Sequence, residues 1–183
     1  MKYFLWFLMC IALVVVTFVL ILHLFKGNGA PKQVTAPLIS YANTDATVEL
    51  TQYGPVVADQ QHQGYRITVG NTLSQIDTLQ GYQNTITSTA TYPNNQEGYA
   101  EFLRALDLAG FQKSIKNTSA DSRGYCATGD TYLLEIVKGG QDVQRLWYTS
   151  CKLGTFKGNL PQVLNLFQRQ IPGFSSTTSD ISL

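Results

Sequence analysis

The chain has 183 residues, with 13 Lys and Arg against 12 Asp and Glu, a formal net charge of +1 and an apolar share of 44%. Beyond residue 32 the ten basic and twelve acidic side chains are too evenly balanced for a nucleic-acid or anionic-lipid surface. Of the histidines and cysteines only His62, Cys126 and Cys151 lie outside the apolar N-terminal run, which falls short of the four ligands usual in a structural zinc site.

That run extends from Tyr3 to Phe25, interrupted only by Thr17 and His23 and flanked by Lys2, Lys26 and Lys32. At about 1.5 Å per residue it is long enough to cross a hydrocarbon layer of roughly 30 Å, and it is apolar on every side. A cleaved signal peptide would carry a shorter apolar stretch of about 7 to 15 residues before a small-residue cleavage site. The one candidate site, Gly27 to Ala30, is followed by Pro31. Lipoprotein processing at Cys10 is disfavoured by the bulky Phe7, Leu8 and Met9 before it. Residues 1–26 therefore read as a retained transmembrane anchor. Its flanking charges nearly tie, so orientation rests on the two remaining cysteines, an even pair that suits a disulfide in an oxidising compartment. A pair of free thiols on the cytoplasmic side is the alternative. The expected localisation is a single-pass membrane protein with its domain outside the cytoplasm.

Residues 27–46 read as a linker, with Gly27, Gly29, Pro31 and Pro37 and few bulky side chains. Val48 and Leu50 alternate with Glu49 and Thr51, and Tyr65, Ile67 and Val69 alternate with Arg66 and Thr68, the period-two pattern of half-buried strands. The polar turn between them, Asp59 to Gly64, contains His62 and reads as solvated. Leu73 to Gln80 and Tyr82 to Thr91 predict a further hairpin broken at Gly81, its second arm rich in Thr85, Thr87, Thr89 and Thr91.

Pro93 ends that strand, and Asn94 with Glu97 resembles a capping box opening a helix. Tyr99, Phe102, Leu103 and Leu106 give the helix one apolar stripe, and Gly110 stops it with Phe111 folding back. After a polar loop from Lys113 to Arg123, Tyr132–Val137 and Val143–Tyr148 flank Lys138-Gly139-Gly140-Gln141-Asp142, a hairpin signal. Folding between Gly139 and Gly140 places Cys126 opposite position 153, two residues from Cys151, so a small loop irregularity joins the sulfurs. A last helix fits Asn159 to Gln170, with Asn159 as cap, Pro161 in the first turn, and Leu160, Val163, Leu164, Phe167 and Ile171 on one face. Pro172 ends it, and residues 175–183 read as a flexible tail. The predicted fold class is α+β: a mainly antiparallel sheet of about six strands, in the order ββββαββα, with two helices over residues 47–174.

The segments Gly81-Tyr82 to Thr91, Phe102-Leu103-Arg104-Ala105-Leu106 with Ala109-Gly110-Phe111, and Arg123-Gly124-Tyr125-Cys126-Ala127-Thr128-Gly129 carry a resemblance to a known group. So do Leu146-Trp147-Tyr148-Thr149-Ser150-Cys151, Gly154-Thr155-Phe156-Lys157-Gly158-Asn159 and Leu166-Phe167-Gln168-Arg169-Gln170-Ile171-Pro172. Together they resemble uncharacterised small single-span membrane-anchored proteins of Saccharibacteria, reduced-genome bacteria that live on other bacteria. That group has no assigned activity and supplies no catalytic residue. The resemblance implies a surface setting, with contact with a host cell.

No motif names a reaction. His62 lacks a Gly-x-Ser-x-Gly partner, Glu97 and Glu101 face away from the helix stripe, and Asp77, Asp121 and Asp130 are scattered singly. The glycines at 139, 140, 154 and 158 lack a following Gly-Lys-Ser/Thr and read as turns. Asn117-Thr118-Ser119 matches a glycosylation acceptor by three residues alone. No catalytic, cofactor or metal site is assigned. The expectation is a non-catalytic binding module for a protein or glycan at the cell surface, contacted through exposed tyrosines and the Thr-rich strand. The alternative is an envelope hydrolase with an unrecognised carboxylate site.

Overall fold

The computed structural model describes residues 36–115 and 121–183, and Trp6. Apart from Trp6, the expected span Tyr3–Phe25 with Cys10 lies outside the described residues, as do residues 27–35 of the expected linker and Asn117-Thr118-Ser119. Among the described residues no helix is long and apolar enough to cross a membrane.

The domain is α+β, and its elements follow the predicted order. They are β1 (Thr47–Tyr53), β2 (Gln63–Val69), β3 (Leu73–Gln80), β4 (Thr85–Pro93), α1 (Gln96–Leu108), β5 (Thr131–Lys138), β6 (Gln141–Thr149), α2 (Leu160–Gln168) and the short α3 (Phe174–Thr177). The strands form one antiparallel sheet ordered β4-β3-β2-β1-β5-β6. The first four strands make a meander, and the β5–β6 hairpin joins its β1 edge.

Strand alternation divides the side chains between two faces. Val48 and Leu50 of β1, Tyr65, Ile67 and Val69 of β2, Ile76 of β3, Leu134 and Ile136 of β5 and Leu146 of β6 belong to the core under the helices. α1 contributes Tyr99, Phe102, Leu103 and Leu106, and α2 contributes Val163 and Phe167, so the predicted stripes are the packed ones. Phe102 and Phe167 meet edge to face with ring centres 5.1 Å apart. The buried Tyr99 hydroxyl donates to the Ala46 carbonyl at 2.9 Å, so this large ring enters the core with its polar end satisfied.

The helix termini follow from local chemistry. Asn95, not Asn94, caps α1: its side chain accepts from the Gly98 N–H at 2.8 Å, while Asn94 donates to the Gly70 carbonyl. Gly110, at φ 76°, ends the helix; the N–H groups of Phe111 and Gly110 bond Leu106 O and Asp107 O, the pairing that closes a helix through a left-handed residue. Asn159 caps α2 by accepting from the Gln162 N–H.

Two expected boundaries are corrected. Residues 36–46 belong to the domain rather than the spacer, because Leu38–Tyr41 forms a 3-10 turn whose Leu38 and Tyr41 are buried in the core with Ala42 and Ala46. Residues 175–183 fold back on the domain: Ile181 packs on the core and the Ser182 N–H donates to Gln63 Oε1 at 2.8 Å. Both segments hold a few apolar side chains that the sheet and helices leave room for.

Candidate functional site

The second face of the sheet carries Glu49, Thr51, Tyr53, Arg66, Asp77, Leu133, Glu135, Arg145 and Trp147, and among the described residues no helix packs across it. Its middle is a row of charges across five strands. Arg145 Nη1 lies 3.1 Å from Glu135 Oε1, Glu135 is register partner of Glu49, Glu49 lies 4.0 Å from Arg66, and Arg66 Nη2 donates to Asp77 Oδ2 at 3.0 Å. Asp77, 0% exposed, also accepts from Gln75 Nε2 at 2.8 Å and Thr89 Oγ1 at 2.7 Å, so this buried carboxylate is fully engaged. Burial raises the pKa of both Glu49 and Glu135, opposed by Arg66 and Arg145 respectively.

An aromatic stack closes one end of this face. Tyr53 ends β1 opposite Gly64, where a Cβ would lie 2.8 Å from the Tyr53 ring, so only glycine lets the ring pass. His62 lies against it, ring centres 5.6 Å apart at 17°, and Tyr82 stacks on His62 at 4.1 Å and 16°. Tyr82 is fixed by its N–H to Asp59 Oδ1 at 2.8 Å and its hydroxyl to the Val57 carbonyl at 2.8 Å, and remains 46% exposed. His62 is 7% exposed, which corrects the expectation of a solvated turn histidine. The turn itself is polar, but the hairpin registers bring two rings onto its imidazole. His62 Nδ1 lies 3.4 Å from the Pro55 carbonyl.

The loop before β5 forms the opposite wall. Cys126 and Cys151 are bonded, with Cα atoms 5.9 Å apart. The hairpin turn forms as expected, Lys138 pairing Gln141, and an irregularity next to Val137 shifts the register by one residue from Ile136 onward. The tether holds Ala127 where its carbonyl accepts from the Val56 N–H at 2.8 Å and Tyr125 where its ring meets Trp147 at 4.8 Å. Stack and loop border an open cleft of about 380 Å³ lined by Tyr53, His62, Tyr82, Asn84, Ser122, Arg123, Thr131, Leu133 and Arg145, among others. Its charges are matched internally. Arg123 binds Asp121 through two nitrogens, at 2.6 to 3.0 Å, and hydrogen bonds from Arg123 hold the Asp121 carboxyl at about 2. Arg145 is shared between Glu135 and Asp142.

The predicted candidate residues do not converge. His62 is in the stack, Asp77 is locked to Arg66, and Asp121 is tied to Arg123. Asp130 accepts from Gln52 Nε2 and Tyr132 Oη, side chains of the other sheet face. Glu97 and Glu101 are exposed on α1, with Glu101 paired to Arg104. Among the described residues no group of three or more His, Cys, Asp or Glu is placed to hold a metal ion. Sequence reasoning missed Tyr53, Tyr82, Arg123 and Arg145 as a set. The available signal was the register: Tyr53 opposite Gly64, and Gly64 opposite Leu79 just before the Gly81-Tyr82 turn.

Fold and cavity together define an α+β domain with an aromatic-walled pocket on an uncovered sheet face. No protein-family model matches the chain, and no curated protein matches it.

Proposed function

We propose that the chain is a membrane-anchored binding module of the cell surface and that it takes a neutral glycan in the cavity beside the Tyr53–His62–Tyr82 stack. The observation that carries this reading is the pairing of an exposed tyrosine ring with a pocket whose arginines are already neutralised by Asp121, Glu135 and Asp142. A pocket of this volume fits a small ligand. The ring of Tyr82 offers an apolar platform to the C–H face of a sugar, while Asn84, Ser122 and the arginine N–H groups offer hydrogen bonds to hydroxyls. An anionic ligand would first have to displace acids from both arginines. The apolar N-terminal run supports the membrane setting, the Cys126–Cys151 bond supports an oxidising compartment, and the resemblance to anchored Saccharibacteria proteins supports a surface role.

A second reading, hydrolysis of an envelope polymer, draws on Glu49 and Glu135, register partners whose pKa values are both raised by burial. Each has an arginine beside it and neither lines the cavity, so binding is the better account. Titration of the full chain in detergent with oligosaccharides from bacterial envelopes, followed by NMR and product analysis, separates the two. Saturable shifts at Tyr82 and Asn84 with intact glycan support binding. Glycan cleavage lost in Glu135→Gln supports the hydrolase, and no response in either readout refutes the glycan site.

A further inference from the structure

The two edges of the sheet are treated differently. After β6 the chain turns back along its own edge: the N–H groups of Thr155 and Phe156 donate to the Trp147 carbonyl at 2.9 and 3.1 Å, Thr149 N–H reaches Leu153 O at 2.8 Å, and Tyr148 bridges Gly154. That edge also carries Asp142, Arg145 and a register shift. These are the devices by which edge strands avoid pairing with other chains. The β4 edge has almost none of them. Its nine residues, TITSTATYP, include no charge, the strand is mostly exposed, and among the described residues its backbone makes no hydrogen bond beyond β3. The irregularity at Thr78/Leu79 affects only its first part, which leaves Ser88–Tyr92 as a regular run with alternate N–H and C=O groups directed outward.

We propose that β4 is a homodimerisation edge, pairing antiparallel with β4 of a second copy of this chain to make a continuous twelve-stranded sheet. A second copy fits for three reasons. An antiparallel pair related by a two-fold axis is isologous, so the outward donors of one run meet the outward acceptors of an identical run. Absence of charge on β4 removes the like-charge repulsion that self-pairing usually meets. The exposed apolar side chains of this rim stand at opposite ends, Ile86 at one and Leu73, beside Pro93, at the other, both on the uncovered face. Antiparallel pairing turns the Ile86 end of each copy toward the end of its mate where Pro93 and, one strand further in on β3, Leu73 lie.

The test is sedimentation equilibrium of the full chain in detergent, combined with hydrogen exchange of the β4 amides. The expected result is a concentration-dependent dimer in which amides of the Ser88–Tyr92 run become protected as the dimer forms. Thr91→Lys, an exposed edge position, is expected to weaken the dimer about tenfold or more while leaving the melting temperature at monomeric concentrations unchanged, and Thr91→Val to retain the dimer. A monomer at every concentration overturns the proposal. So does a dimer that survives Thr91→Lys or leaves β4 amides exchanging freely, since either result places the contact elsewhere, in the apolar N-terminal run above all.

Discussion

Asp77 shows how much a single side chain carries on the uncovered sheet face. It has no solvent contact, and three donors, from Arg66, Gln75 and Thr89, converge on its carboxylate. Asp77→Ala removes the acceptor and leaves the half-buried donors of Arg66 and Gln75 unmatched, while the exposed Thr89 hydroxyl can turn to water. The expected loss is about 3 kcal/mol, below the upper end for a buried pair because the Arg66 side chain is one-third exposed, and urea unfolding monitored by fluorescence measures it. Glu49 and Glu135 act on stability through their protons. Burial raises their folded pKa values above the ordinary 4.5, so the folded state holds the proton more tightly than the unfolded chain. The stability each contributes is full below that ordinary value and is lost as pH rises through the folded one. Glu49→Gln, which leaves Arg66 its bond to Asp77, is therefore expected to flatten the decline in melting temperature from mildly acidic to neutral pH. A slope equal to that of the native chain contradicts the assignment. His62 marks the limit of residue-level reading: its neighbours Asp59, Gln60, Gln61 and Gln63 are polar, and only the positions of Tyr53 and Tyr82 across two registers make it a buried ring.

Among the elements, those with local signals were legible. The stripe of α1 and its Gly110 stop, the Asn159 cap of α2 and the Gly139-Gly140 turn each rest on residues a few positions apart, and each formed as expected. The bond between Cys126 and Cys151 was legible for the same reason, since mirror positions about a tight turn place them near one another. What was not legible depends on long-range packing. Residues 36–46 carry glycine-free but ordinary linker composition, and only the space beside α1 draws Leu38 and Tyr41 inward. The loop from Asp121 to Asp130 has no periodicity, so its course over the uncovered face, and with it one wall of the cavity, had no sequence signature. Replacing both cysteines with serine opens a closed loop spanning a sequence separation of 25. The expected cost is about 3 kcal/mol by the chain-entropy account. The loop wall is expected to loosen first, so hydrogen exchange at Val56, whose N–H binds the Ala127 carbonyl, should accelerate more than exchange at the core residue Leu134. Equal acceleration at both positions would mean that the bond supports the sheet as a whole and not the cavity wall.

At the scale of the whole molecule, the two sheet faces divide the work. One buries its alternating Val, Leu, Ile and Tyr side chains under α1 and α2 and so holds the domain together. The other has no helix packed on it among the described residues, is crossed by an internally compensated charge row, and is bordered by an aromatic stack and a disulfide-tethered loop. A fold of this class supports many activities, so the proposed role rests on the cavity and not on the α+β architecture. The role stands or falls with Tyr82, whose exposed ring makes the platform. The direct measurement is the binding isotherm of the full chain, native and Tyr82→Ala, for neutral envelope oligosaccharides at low and high salt. The account predicts saturable binding that changes little with salt and weakens at least about tenfold in Tyr82→Ala, the loss expected of an aromatic anchor. Binding that is unchanged in Tyr82→Ala, or that collapses with added salt, would contradict it.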